Sequence, residues 1–187
     1  MAPELVVVRH ADTEWTVSGQ HTGRSDIPLT EAGRVKAESL AAPLARRAYF
    51  AVWSSPLSRA LETAALAGFA DPQLRPDAEE WDYGIYDGLT SAQIKERRPG
   101  WDLWRDGCPD GESAQEVGAR ADRLLAGLPN EGTVLLFSHG HMLRVLLARW
   151  LGLPATDGAL FVLAPGGVGE FTHEHGRRVL GAWGPTA

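Results

Sequence analysis

The sequence predicts an α/β fold, with three layers (α/β/α) built around a mainly parallel central sheet. Three short apolar runs, Leu5–Val8, Tyr49–Trp53 and Thr133–Phe137, lack polar alternation, as strands buried on both faces do. Each run is followed by a helical pattern, as a βα unit requires. A chain of 187 residues is long enough to bury one such core. No repeat, low-complexity tract or linker divides it, so a single domain over 1–187 is expected.

The elements follow in order. The first strand runs through "ELVVVRHADTEW" and stops on Arg9 and His10. A helix is expected from Glu31 to about Arg47, with Pro43 kinking or ending it. After the second strand, Ser55 and Pro56 offer an N-cap and a first-turn proline, and Gly68 a stop. A further short strand is expected near Leu74–Pro76. Thr90 with Gln93, and Ser113 with Glu116, have the spacing of capping boxes. The helix after the third buried strand starts at Gly140 and closes at Gly152, with Pro154 beyond. The remaining stretches "GALFVLAP", "GVGEFTHEH" and "RRVLGAW" read as closing strands.

Composition narrows the function. A formal net charge of −6 argues against general affinity for nucleic acid or an anionic membrane. No run approaches the roughly 18 apolar residues of a membrane span. The apolar N-terminal stretch is too short for a signal peptide and lacks a basic flank. The lone Cys108 rules out an internal disulfide framework and has no evident base partner. A cytoplasmic protein is expected. The cations are nearly all arginine, the side chain that forks onto phosphate oxygens.

The three buried strands end on Arg9–His10, Ser54–Ser55 and Ser138–His139. Open α/β sheets bind ligands beyond the carboxyl ends of their strands, so these residues should meet there. A neutral imidazole is a competent nucleophile towards phosphorus, and a second one, protonated, can steady charge on the phosphoryl oxygens. Arg59, early in the helix after the second strand, would lie at the same edge and add a second guanidinium. Phosphoryl transfer also needs a proton donor for the departing alkoxide. The stretch "DAEEWDYGIYDGLT" offers Glu79, Glu80, Asp82 and Asp87 without choosing among them. The pairs His139/His141 and His173/His175 match no metalloenzyme spacing, and the latter pair reads as one face of a surface strand. No GxGxxG or Walker motif is present. Trp15, Trp81, Trp101 and Trp104 lie in loop-like contexts near the expected cleft.

The stretches "RHADTEW", "HTGRSDIPLTEAG", "SSPLSRALETA", "EEWDYGIYDGLT" and "SHGHMLRVLLARWLG" together resemble the histidine phosphatase superfamily, also called phosphoglycerate mutase-like. The likeness covers most of the chain and implies that fold. It implies His10 as the nucleophile, with Arg9, Arg59 and His139 as the phosphate pocket. It implies Glu80 as the proton donor, four residues before Gly84. Thr16, Thr22, Gly23, Gly140 and His141 are then expected beside the substrate, with His141, Trp104, Arg105 and Arg24 as possible selectors. Neither metal nor organic cofactor is expected. Two positions depart from the family pattern: Ala11 stands where Gly is usual, and Thr16 where Asn is frequent. A Thr hydroxyl can still donate a hydrogen bond, though with shorter reach.

The resemblance favours a phosphatase over a mutase, because the segment between Gly88 and Thr133 is too short for the closing insertion of the mutases. The motifs look most like a branch of sedoheptulose-bisphosphatase-type enzymes and acid phosphatases. The expectation is a metal-independent phosphomonoesterase acting on a small phosphorylated metabolite, a sugar phosphate or bisphosphate. It would work as a monomer or homodimer. The alternatives are a phosphoglycerate mutase and a weakly active phosphate-binding regulatory domain.

Overall fold

The structure, a computed structural model, describes residues 2–184, so residue 1 and residues 185–187 of the expected domain lie outside it. Six strands, β1 (Glu4–Arg9), β2 (Ala51–Ser54), β3 (Gln73–Leu74), β4 (Thr133–Ser138), β5 (Val168–Glu174) and β6 (Arg177–Gly184), form one sheet. Their order is β3-β2-β4-β1-β5-β6. The first four are mutually parallel; β5 runs antiparallel to β1, and β6 antiparallel to β5. The sheet is therefore mainly parallel, as expected.

Leu5, Val6, Val7 and Val8 are all at most 2% exposed, because β1 is central and covered on both faces. Val6 and Val8, with Leu135 and Phe137 of β4, pack against Leu40, Leu44, Ala64 and Ala67. Those residues belong to α2 (Glu31–Ser39), α3 (Ala41–Leu44), α4 (Ser58–Leu66) and their ends. Leu5 and Val7, with Val134 and Leu136, point the other way into a larger core. That core also holds Val117, Ala121, Met142 and Leu146, from α7 (Ala114–Ala126) and α8 (Gly140–Trp150). Each fully buried side chain of this size contributes about 1.5–3 kcal/mol. A continuous apolar strand is what such two-sided burial demands.

Both expected capping boxes form, Thr90–Gln93 before α5 (Ser91–Arg97) and Ser113–Glu116 before α7. The helix from Gly140 ends at Trp150, with Gly152 at φ +77°. Other elements differ from expectation. The helix over 31–47 breaks in two and stops at Leu44, because Pro43 has no N–H to give the Ser39 carbonyl. Helix α4 starts at Ser58, not at Pro56, and its N-cap Leu57 has no capping side chain. Asp26, from a distant loop, takes the Ser58 backbone N–H at 2.9 Å instead. Two short helices, α1 (Glu14–Ser18) and α6 (Leu103–Asp106), were not anticipated.

The stretch "GALFVLAP" is not a strand. It begins in a 3-10 turn over Ala155–Leu160 and continues without sheet pairing. Its carbonyls find side chains in place of a ladder: Arg144 donates to Gly158 O and Ala159 O, and Arg9 to Leu163 O. Gly158 is wedged so closely on Trp104 that a Cβ would lie 2.6 Å from the indole ring. His175 also leaves the expected strand face, sitting at φ +49° in the β5–β6 turn.

Candidate active site

The ends of β1 and β4 bring His10 and His139 together, with ring centroids 5.2 Å apart. The His10 N–H pairs with the Ser138 carbonyl at 2.9 Å, so the two strand ends are locked in register there. His10 is only 3% exposed. Its Nδ1 lies 2.8 Å from the Ala11 carbonyl oxygen. A carbonyl only accepts, so Nδ1 carries the proton and Nε2 keeps its lone pair. Burial, then the Arg59 and Arg9 charges, push the His10 pKa well below the ordinary imidazole value. The ring is neutral at neutral pH.

His139 is fully buried and neutral for the same reasons: burial first, then Arg59, His10 and Arg9. Its Nδ1 accepts from Arg59 Nε at 3.2 Å, which leaves Nε2–H to donate to Ser55 Oγ at 2.7 Å. Ser55 thus serves the site, and its hydroxyl accepts from Leu57 N at 3.3 Å ahead of α4 without reaching the helix's own first N–H groups.

Arg59 is fully buried on α4 and lies behind the cavity instead of lining it. Nη1 donates to Ser25 O, and Nη2 to Thr22 O and Gly23 O. Those carbonyls face Arg59 because Asp87 holds the other side of the loop. Its carboxylate accepts from Gly23 N, Ser25 N and Ser25 Oγ. Gly23 is consequently a buttress and not a cavity residue; a Cβ there would meet Trp81 O at 2.9 Å.

Arg9 does line the cavity. Nη1 donates to Leu163 O at 2.6 Å, while the buried Nε has no partner. Burial lowers its pKa, although Glu80, Tyr83 and Asp12 oppose the shift. The guanidinium lies against the first residue of α8, where a Cβ on Gly140 would stand 3.0 Å from Arg9 Cζ. Glycine there lets a cation and a helix N-terminus share one small space.

Of the four candidate carboxylates, only Glu80 lines the cavity. Its oxygens accept from Trp81 N and Met142 N, both at 2.9 Å, and His141 N at 3.1 Å. Glu80 therefore caps α8, whose own N-cap residue, His139, supplies no capping bond. A second tier fixes Glu80 in turn. Arg120 on α7 donates to the carbonyls of Asp77, Glu79 and Glu80 and forks onto Glu112. Glu112 then accepts from Asp82 N at 2.8 Å.

Thr16, Thr22, Gly140 and His141 also line the cavity. The Thr16 hydroxyl, however, donates to Thr13 O at 2.9 Å within its own capping box, so it has no proton left for a ligand. Ala11 is fully buried, with φ outside the left-handed region. Its methyl packs with Leu29 and Ala37, away from the ligand side. His141 Nδ1 lies 2.6 Å from the Tyr83 hydroxyl. Burial, then Arg144, His21 and Arg9, hold its pKa well below the usual value.

Several contributors were missed: Tyr83, His21, Ser55 as a partner of His139, and Arg144. Arg144 is four residues past Gly140 on the helix expected there, and that spacing alone places both on one face. Arg24 and Arg105 do not reach the cavity; they pair at the surface with Asp82 and Asp106. Of the four tryptophans, Trp15 lines the cavity while Trp81 and Trp101 are core. Burial pushes the Cys108 thiol up to about 12, as an inert structural thiol requires. Among the described residues no three His, Cys, Asp or Glu side chains gather as a metal site needs. No described helix is long and apolar enough to cross a membrane. The cavity measures about 180 Å³, below the ~300–1,000 Å³ of drug-sized ligand sites.

The sequence profile of the histidine phosphatase superfamily (branch 1) matches residues 5–186. An acid phosphatase of Mycobacterium tuberculosis is 40% identical, over 97% of this chain and 92% of its own. A sedoheptulose 1,7-bisphosphatase of Saccharomyces cerevisiae is 34% identical, over 82% of this chain and 69% of its own. A solved structure from Mycobacterium tuberculosis superposes with a TM-score of 0.93 at 38% identity, covering 100% of this chain and 99% of that one.

Proposed function

The chain belongs to branch 1 of the histidine phosphatase superfamily and is a phosphatase, and from that premise we propose that it hydrolyses a small phosphorylated metabolite through a phosphohistidine on His10. A sugar phosphate or bisphosphate is the favoured substrate class, in keeping with the bisphosphatase relative and the small cavity. One observation carries the mechanism: Nδ1–H of His10 is tied to the Ala11 carbonyl, so a neutral ring has its Nε2 lone pair free beside Arg9.

In the first step Nε2 attacks phosphorus and the bond to the ester oxygen breaks. Glu80, in its acid form, gives that oxygen a proton, and the alcohol departs. In the second step water attacks the phosphohistidine, Glu80 takes a proton back, and the N–P bond breaks to release inorganic phosphate. Arg9, Arg59 and His139 stabilise the charge on the transferring group. His139 holds Arg59 through Nδ1 and Ser55 through Nε2–H, and so fixes the frame around the transferring group. No step calls for a metal or an organic cofactor.

His10→Ala is the test. It should abolish turnover and the acid-labile, base-stable phosphoenzyme, and an active variant would overturn the mechanism. Glu80→Gln should slow alkyl phosphates far more than p-nitrophenyl phosphate, whose leaving group needs no proton. Equal losses on both esters would remove Glu80 from the acid role. Inorganic phosphate, and not 2-phosphoglycerate, is the expected product from 3-phosphoglycerate.

A further inference from the structure

The chain turns where β1 ends, and the backbone of residues 9–11 is held at every polar group. Arg9 N donates to Gly167 O at 3.0 Å and His10 N to Ser138 O at 2.9 Å. The Arg9 and His10 carbonyls share Gly166 N, each at 3.1 Å, and the Ala11 carbonyl faces His10 Nδ1 at 2.8 Å. Ala11 N differs in kind. It donates to a side chain, the Thr63 hydroxyl, at 3.1 Å. Strand and loop backbone therefore fixes residues 9 and 10, while a single hydroxyl fixes Ala11 N.

Thr63 is fully buried on α4, one turn past Arg59 and 52 positions from Ala11, and it does not line the cavity. Its hydroxyl proton goes to Arg59 O at 2.6 Å, the back-bond of a helical threonine. A lone pair of the oxygen is therefore what faces Ala11 N. One atom ties the turn that carries the nucleophile to the helix that carries Arg59. Arg59 O also lies within the α4 ladder, so loss of the hydroxyl orphans Ala11 N alone. A buried N–H without a partner is costly, and the turn relieves it by moving towards another acceptor.

We propose that Thr63 is a positioning residue for the nucleophile: by fixing Ala11 it keeps the Ala11 carbonyl opposite His10 Nδ1, and so keeps the His10 proton off Nε2. This rests on the phosphohistidine reading above and adds the group that selects the reactive tautomer. Among the described residues the His10 ring has no other hydrogen bond. Once the carbonyl moves out of reach, nothing holds the proton on Nδ1. A ring protonated at Nε2 lacks the lone pair that attacks phosphorus, so that fraction of the enzyme is inert.

The experiment joins nitrogen-15 NMR of the free protein at neutral pH, with His10 assigned against His10→Ala, to kinetics on p-nitrophenyl phosphate. Wild type should show a neutral His10 ring protonated at Nδ1. Thr63→Val keeps the branched shape and removes the hydroxyl. It should give a mixture of both tautomers and lower kcat by about tenfold to a hundredfold. KM should stay within about threefold, because Thr63 touches no ligand. Thr63→Ser restores the hydroxyl, so it should hold the Nδ1–H tautomer and bring kcat to within about threefold of wild type. Should Thr63→Val fail to fold, Thr63→Cys, whose sulfur is a weak acceptor, carries the same expectations. Wild-type kcat in Thr63→Val would overturn the assignment. Equal losses in Thr63→Val and Thr63→Ser would do the same, since the methyl and not the hydroxyl would then matter. So would a fallen kcat with the Nδ1–H tautomer intact, which would reduce Thr63 to packing. Absence of turnover in wild type would instead fail the phosphatase mechanism, and the tautomer measurement, which needs no turnover, would still decide what Thr63 holds.

Discussion

Replacing Arg120 with Met probes the tier beneath the proposed acid. Arg120 is 14% exposed and its partner Glu112 is 19% exposed at their side chains, so solvent screens the pair little. Two guanidinium bonds of 2.7 Å reach Glu112, and three more reach the carbonyls of Asp77, Glu79 and Glu80. Met matches the bulk of the aliphatic stem but leaves a carboxylate and three carbonyls without that donor. Removing one partner of a buried pair typically costs about 3–5 kcal/mol. For a domain of this length each kcal/mol shifts Tm by roughly 2–4 °C, so a fall of roughly 6–20 °C is expected. Urea unfolding followed by far-UV circular dichroism measures the loss at equilibrium. A cycle with Glu112→Gln isolates the pair, and the double variant should lose clearly less than the sum of the singles. A loss under about 1 kcal/mol, the worth of a surface ion pair, or strict additivity, would refute the reasoning.

Stability should also track pH through the buried imidazoles. His10, His139 and His141 all have folded pKa values well below the ordinary one, so the unfolded chain binds protons that the native state refuses. Unfolding midpoints should therefore rise with pH across the window that ends near the unfolded value of about 6.5, and level off above it. His139→Gln should shallow that slope; an unchanged slope would contradict the neutral-histidine assignment. Asp87→Ala frees Gly23 N and Ser25 N and lets the Arg59-facing carbonyls turn away, so kcat should fall by about tenfold to a hundredfold in a protein that still folds. Wild-type kcat in that variant would mean Arg59 needs no such frame. Gly140→Ala sets a methyl 3.0 Å from Arg9 Cζ, and kcat/KM should drop by about tenfold with Tm nearly unchanged. A falling Tm at unchanged kcat/KM would show that the closeness serves packing alone.

What the sequence made legible was whatever is encoded locally. Strand β1 announces itself because both faces are buried, and the two capping boxes because each closes over four residues. The meeting of His10 with His139 follows from topology, since parallel strands end on one edge. Arg59 could be named but not explained: its carbonyl partners depend on Asp87, across 62 to 64 residues, and no periodicity records such a bond. Ser55 looked like a cap because serine before proline is a common helix start; its hydroxyl accepts Leu57 N just ahead of α4 and also serves a histidine 84 positions away, which no local pattern records. "GALFVLAP" misled for a related reason. An apolar run does not reveal whether its carbonyls will meet a neighbouring strand or two arginines.

The place of β1 in the sheet has a consequence for how the chain is made. Its parallel partner, β4, begins at Thr133, and its other neighbour, β5, at Val168. Of the six strands, β1 is thus the one that waits longest for a neighbour to pair with. At about 5–20 residues per second, some 129 residues separate Glu4 from its partner Thr133 by roughly 6–26 s. For that interval Leu5–Val8, apolar on both faces, has no native ladder to join. Newly made chains are most open to chaperone capture, or to mispairing with another chain, before β4 emerges.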